Sequence, residues 1–128
     1  MATVPPVVLD EFTLRYPDAR NITWTFAGEQ YRAEFKNNKM ATMAMLGPDG
    51  AILQTETQIT ITALPETAMD YMEKIYGEKK IEFAMIIENE EGVITFEAIA
   101  DKLDYTFDHH GQFLGTNEVV LGSKFRED

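Results

Sequence analysis

The chain has 128 residues and carries 22 Asp and Glu against 11 Lys and Arg, a net charge of −11. That balance argues against nucleic acid, whose phosphates demand Lys and Arg to release counterions, and equally disfavours an anionic membrane surface. Apolar residues at 45% and charged ones at 26% describe an ordinary globular chain, and the absence of cysteine excludes disulfides and thiolate metal sites.

Val4-Pro5-Pro6 opens a helix predicted to run to about Tyr16, because a proline in the first turn lacks only an N–H that would be unpaired there. Val8, Leu9, Phe12 and Tyr16 share one face at helical spacing, and Pro17 ends the helix. Three or four strands follow. Ile22, Trp24 and Phe26 alternate with Thr23 and Thr25, and Trp24 is expected in the core beneath the helix with its two neighbours. Ala27-Gly28-Glu29 turns the chain, Tyr31, Ala33 and Phe35 alternate with Arg32, Glu34 and Lys36, and Asn37-Asn38 makes the next turn. The stretch Lys39–Thr57 reads as strand, tight turn at Gly47-Pro48-Asp49-Gly50, and returning strand.

The cycle then restarts. Leu64-Pro65 echoes Val4-Pro5, Asp70 echoes Asp10, and Tyr76-Gly77 echoes Tyr16-Pro17. A second helix is predicted from about Pro65 to Tyr76, burying Ala68, Met69, Met72, Ile75 and Tyr76, with Gly77 as its C-terminal cap. Ile81, Phe83, Met85 and Ile87 begin a second set of strands, and Ile94, Phe96 and Ala98 match Tyr31, Ala33 and Phe35. Leu103–Glu118 repeats the Lys39–Thr57 stretch, with Gly111 meeting Gly50, Leu114 meeting Leu53 and Thr116 meeting Thr55.

The expected fold is α+β: a tandem repeat of a helix and three to four antiparallel strands, closing into one antiparallel sheet with both helices on one face. One domain, 1–128, then comprises repeat one at 4–60, repeat two at 61–121 and a frayed polar tail at 122–128. Charge divides unevenly between the halves. Residues 1–60 hold seven acids and five bases, a net of −2, whereas residues 61–128 hold fifteen acids and six bases, a net of −9. No apolar run is long enough to span a membrane, and Met1-Ala-Thr-Val-Pro lacks the regions of a signal peptide. The expectation is either a cytosolic protein or a mature segment whose export signal has been removed.

The helix from Val4-Pro5 to Tyr16-Pro17, Asn21-Ile-Thr-Trp24, Tyr31-Arg-Ala-Glu-Phe35, the Pro48-Asp-Gly turn and Thr55-Glu-Thr together resemble the running pattern of the PepSY-like proteins. These are secreted or periplasmic proteins of Bacteroidetes whose fold is similar to that of the beta-lactamase inhibitor protein. The resemblance covers roughly residues 4–120. It implies a periplasmic or extracellular protein that binds or inhibits another protein through its exposed sheet face and a hairpin tip, here the outward strand residues and Pro48-Asp49-Gly50. This chain lacks the inhibitor's disulfides, so inhibition of a lactamase is not carried over.

Candidate site residues are few. Glu34 and Glu97 occupy equivalent outward positions, and paired carboxylates perform acid–base chemistry only where their environments separate their pKa values. Met43 and Met45 lie on the open sheet face if Ala44 and Leu46 face the helices, and are buried beneath the helices in the alternative register. Asp108, His109 and His110 offer three polar groups in one turn, but adjacent histidines at a strand end point apart, so an ordinary exposed turn is expected rather than a metal site. No Gly-rich phosphate loop, nucleophile elbow or His-Glu-x-x-His motif occurs. The expected function is a non-enzymatic module without metal or cofactor, binding a protein partner through Glu34, Met43, Met45, Asp49 and Glu97. The alternative is a small-ligand or divalent-cation sensor using the acidic second repeat.

Overall fold

Each helix begins directly after a proline held in extended backbone, Pro5 at φ −62°, ψ 150° and Pro65 at φ −57°, ψ 147°. The computed structural model describes residues 3–77 and 81–118; the predicted tail at 122–128 lies outside the described residues. In chain order come α1 (Pro6–Arg15), β1 (Arg20–Ala27), β2 (Gln30–Asn37), β3 (Met40–Leu46), β4 (Ile52–Ile59), a 3-10 turn (Ile61–Ala63) and α2 (Glu66–Tyr76). The remaining strands are β5 (Phe83–Asn89), β6 (Ile94–Ala100), β7 (Leu103–Asp108) and β8 (Phe113–Glu118). All eight strands form one sheet in sequential order, each pair antiparallel.

Register decides which face each helix covers. Cross-strand partners share a face, as do residues two apart on one strand. Ala44 under α1 pairs with Thr55; Thr57 follows on the same face and pairs with Ile86; Ile59 then pairs with Ala84 under α2. Both helices therefore sit on one side of the sheet, as predicted.

Beneath α1, Val8, Phe12 and Tyr16 pack on Ala33, Phe35, Ala44 and Leu46. Phe12 meets Trp24 and Phe35 edge-on, with centroids 5.1 and 4.9 Å apart. Beneath α2, Leu64, Ala68 and Met72 pack on Ala84, Ala98, Ala100, Tyr105 and Phe107. A cross-strand alanine pair floors each cluster, Ala33 with Ala44 and Ala84 with Ala98, and small side chains there let each helix approach its strands closely. The two clusters are separate. Between them the helix face carries Thr55 opposite Glu88, and the Tyr16 phenol shares a hydrogen bond with Thr55. Burial, opposed by the nearby Arg15 charge, raises the Tyr16 pKa above its ordinary value.

Several expectations need correction. Ile22 and Phe26 are exposed at 43% and 46%, and only Trp24 of that strand joins the core, half-buried. β1 is an edge strand whose register slips between Arg20 and Thr23 around Asn21, so α1 does not cover its length. Leu9 and Ile75 are exposed as well, at 40% and 46%. On α2 the aromatic anchor is Tyr71, which stacks on Phe113 at 4.5 Å and 11°. The β2–β3 turn is centred one residue later than predicted, because Asn38 and Lys39 are the pair in the left-handed region, at φ 52° and 71°.

Two glycines lock turns against helices. Gly50 has φ +90°, and a Cβ there would stand 2.8 Å from the Glu11 Cγ and 3.1 Å from the Val7 carbonyl oxygen of α1. Gly111 has φ +88°, and its Cβ would stand 2.9 Å from the Pro65 Cβ and 3.0 Å from the Ala68 nitrogen. Gly92, at φ +83°, closes a similar turn with nothing within 4 Å. Gly92→Ala should therefore cost about 1 kcal/mol from backbone strain alone, whereas Gly111→Ala adds a clash with helix backbone and should cost roughly 3 kcal/mol or more. Gly50→Ala should fall between, since the Glu11 side chain can move. Urea unfolding of the three variants tests the order, and equal costs would refute it.

Under α2, the Tyr76 and Tyr105 hydroxyls lie 2.6 Å apart. That hydrogen bond, with partial desolvation, pushes the Tyr76 pKa from 10.0 up to about 12. A phenol held protonated by the fold contributes stability that is whole below pH 10 and is lost as pH rises from 10 towards 12. Tyr76→Phe should abolish the latest tyrosine ionisation in an ultraviolet titration and flatten the alkaline fall in melting temperature.

Candidate binding surface

The sheet face opposite the helices carries every site residue proposed from the strands. One row crosses the sheet as Thr23, Glu34, Met43, Glu56, Ile87, Thr95 and Asp108. A neighbouring row runs Thr25, Arg32, Met45, Gln54 and Asn89. On the other side lies Gln58, Met85, Glu97 and Thr106. The register thus places Met43 and Met45 on the face away from the helices, with Ala44 and Leu46 beneath α1.

Facing away from the helices does not make a side chain accessible. Met43 is only 4% exposed, and Ala41, Met85, Ile87 and Ile99 on the same face are buried too. Three carboxylates share this burial: Glu56, Glu97 and Asp104. Glu97 does point away from the helices, but it is buried rather than outward in solvent. The signal available in the sequence was the run Phe83-Ala-Met-Ile-Ile87, because a continuous apolar strand is buried on both faces. Around these buried groups the face is accessible: Arg32, Glu34, Met45 and Gln54 are partly exposed in the first half, and Thr95, Thr106 and Asp108 in the second. Glu34 is 41% exposed and its carboxylate accepts from the Arg32 guanidinium at 2.7 Å. An ion pair so open to solvent is worth little stability and serves mainly to orient both groups.

The structure does not bring Glu34 and Glu97 together. They sit on β2 and β6, four strand spacings apart, a separation of about 19 Å at roughly 4.8 Å per strand. Two carboxylates flanking one reacting bond need far closer quarters. Asp49 is exposed at the β3–β4 turn, where its Oδ1 accepts a hydrogen bond from the Ala51 N–H at 3.0 Å. The Gly50 N–H donates to the Gly47 carbonyl at 3.0 Å and the Gly47 N–H donates to Ala51 at 2.9 Å, which makes this hairpin tip rigid.

Asp108 plays the same local part in the last turn. Its Oδ1 accepts from the His110 and Gln112 N–H groups, both at 2.9 Å. The Gln112 hydrogen bond leads in holding its carboxyl below the usual range, helped by His110. The His109 and His110 rings lie 3.9 Å apart in the exposed turn. Among the described residues no group of three or more His, Cys, Asp or Glu is placed to hold a metal ion, and no helix is long and apolar enough to cross a membrane.

Known protein-family models do not match this chain, and neither do curated proteins. Solved structures do. A BLIP-like protein from Bacteroides fragilis is 22% identical with a TM-score of 0.74, over 99% of this chain and 94% of the other. A candidate periplasmic protein from Bacteroides eggerthii is 18% identical with a TM-score of 0.75, over 91% and 90%. A DUF2874 family protein from Bacteroides ovatus is 19% identical with a TM-score of 0.74, over 92% and 89%. At these identities the similarity concerns the fold: an α+β, eight-stranded antiparallel sheet with two helices, of the BLIP-like kind.

Proposed function

We propose that this chain is a non-enzymatic binding module that holds a protein partner on the first-half portion of the open sheet face. Arg32, Glu34, Met45 and Gln54 form the contact row, and the rigid turn bearing Asp49 forms its rim. The observation that carries this reading is that Met45 is a partly exposed methionine among the polar, partly exposed Arg32, Glu34 and Gln54, whereas Met43 and Met85 on the same face are buried. Methionine adapts its shape to a partner, and the surrounding donors and acceptors supply direction. Met43 and Glu97 shape the floor of the surface and do not touch the partner. With a net charge of −11, the chain favours a partner of basic character.

The same reading takes the helix-plus-four-strand order, which recurs in each half, as a tandem duplication with one repeat at 4–60 and the other at 61–121. It also places the chain with the PepSY-like proteins, outside the cytoplasm, as its resemblance to Bacteroides proteins of this fold supports. A cation-sensing role for the acidic second half finds no ligand cluster among the described residues to favour it.

Immobilised wild-type protein should retain a partner from an envelope extract of the native host. Met45→Asp should weaken that retention about tenfold, some 1.4 kcal/mol, with an unchanged melting temperature because the side chain is partly solvated. Retention of nothing, together with turnover of a substrate by the purified protein, would overturn the proposal.

A further inference from the structure

We propose that the hollow between α2 and the β7–β8 turn binds the ring of a neutral saccharide. The hollow measures about 420 Å³ and is lined by Thr67, Asp70, Tyr71 and Lys74 of the helix and by Gln112 and Phe113 across from it. Tyr71 stacks on Phe113 at 4.5 Å and 11°, and Phe113 keeps 38% of its surface in solvent. An exposed aromatic surface bordered by hydrogen-bonding groups suits a ligand with an apolar face and a polar edge. The contact between turn and helix does not by itself require a ring pair, because in the first half Gly50 rests on Val7 and Glu11 instead.

Charge selects the class of ligand. Asp70 and Lys74 line the hollow with one charge of each sign, so an ion of either sign gains nothing net, while both groups serve a neutral ligand as hydrogen-bond partners. Among the described residues, no hydrogen bond or ion pair engages the side chains of Thr67, Asp70, Lys74 and Gln112 or the Tyr71 hydroxyl. A pyranose ring presents C–H bonds on one face, which lie against an aromatic surface, and hydroxyls at its edge that both donate and accept. The carboxylate accepts from those hydroxyls, the ammonium donates to them, and the Gln112 amide does either. The walls are also set before a ligand arrives. Gly111 brings the turn so close to α2 that a Cβ would stand 3.0 Å from the Ala68 nitrogen and 3.1 Å from the Thr67 Cβ. Asp108 fixes the turn through the His110 and Gln112 N–H groups, and such preorganisation lowers the ordering cost of binding.

The hollow lies on the helix side of the sheet and shares no residue with the contact row proposed for a protein partner, so the two readings fail independently. Titration of the ¹⁵N-labelled protein with glucose, galactose and N-acetylglucosamine tests the site. Glycerol at equal hydroxyl concentration is the control, since it has the hydroxyls without the ring face. Saturable shifts at Tyr71, Gln112 and Phe113 are expected with at least one sugar and not with glycerol. Asp70→Ala combined with Gln112→Ala should weaken binding about tenfold or more. Both side chains are exposed, so the melting temperature should hold. No saturable shift with any of the three sugars, shifts as large with glycerol, or an affinity unchanged in the double variant would overturn the site.

Discussion

The pairing of β4 with β5 is the constraint on which the rest of the molecule depends. Among the described residues it is the only ladder that links the first four strands to the last four, through six residue pairs from Gln54–Asn89 to Ile59–Ala84. Its parity matters as much as its existence. A strand alternates faces with every residue, so sliding β5 by one position would send Ala84 to the opposite side. Its helix would go with it. The sheet would then carry one helix on each face, and the shared helix-side layer would be split in two. The alternation of Thr55, Thr57 and Ile59 with Glu56 and Gln58 specifies the correct parity, because the wrong one would turn Glu56 and Gln58 towards the helices.

The open face has a buried centre of its own. Strands near the centre of a sheet have neighbours on both sides, and here they carry Met43, Met85, Ile87 and Ile99, which are buried as deeply as the residues under the helices. Glu56, Glu97 and Asp104 lie among them, and each engages in a polar or electrostatic contact. A carboxylate taken out of water without such contacts would cost several kcal/mol, so these contacts are what makes the burial tolerable. Around them the face stays accessible, with Arg32, Glu34, Met45 and Gln54 partly exposed on β2–β4.

Much of this was legible in the sequence. X-Pro pairs before each helix, two-residue alternation in β2 and glycines at matching turn positions led to the right elements and the right side for both helices. Alternation reports only that two faces differ, however, not how much solvent each receives. Glu34 and Glu97 therefore looked alike, although one is 41% exposed on its side chain and the other is 9% exposed overall. Ile22 and Phe26 show the converse: their pattern is that of a half-buried strand, but their place at the sheet edge leaves them in water. Helical spacing likewise admitted Leu9 and Ile75 to the apolar stripe and missed Tyr71, whose partner Phe113 is forty-two residues away in sequence. Such pairings depend on tertiary placement, which no local period encodes.

The irregularity at Asn21 has one more consequence. A straight outer strand offers an uninterrupted row of amide and carbonyl groups onto which a strand from another molecule can add, and Ile22 and Phe26 would make such growth adhesive. The kink between Arg20 and Thr23 breaks that row near its start. It protects concentrated protein against lateral polymerisation at a rim where grease and unsatisfied backbone coincide.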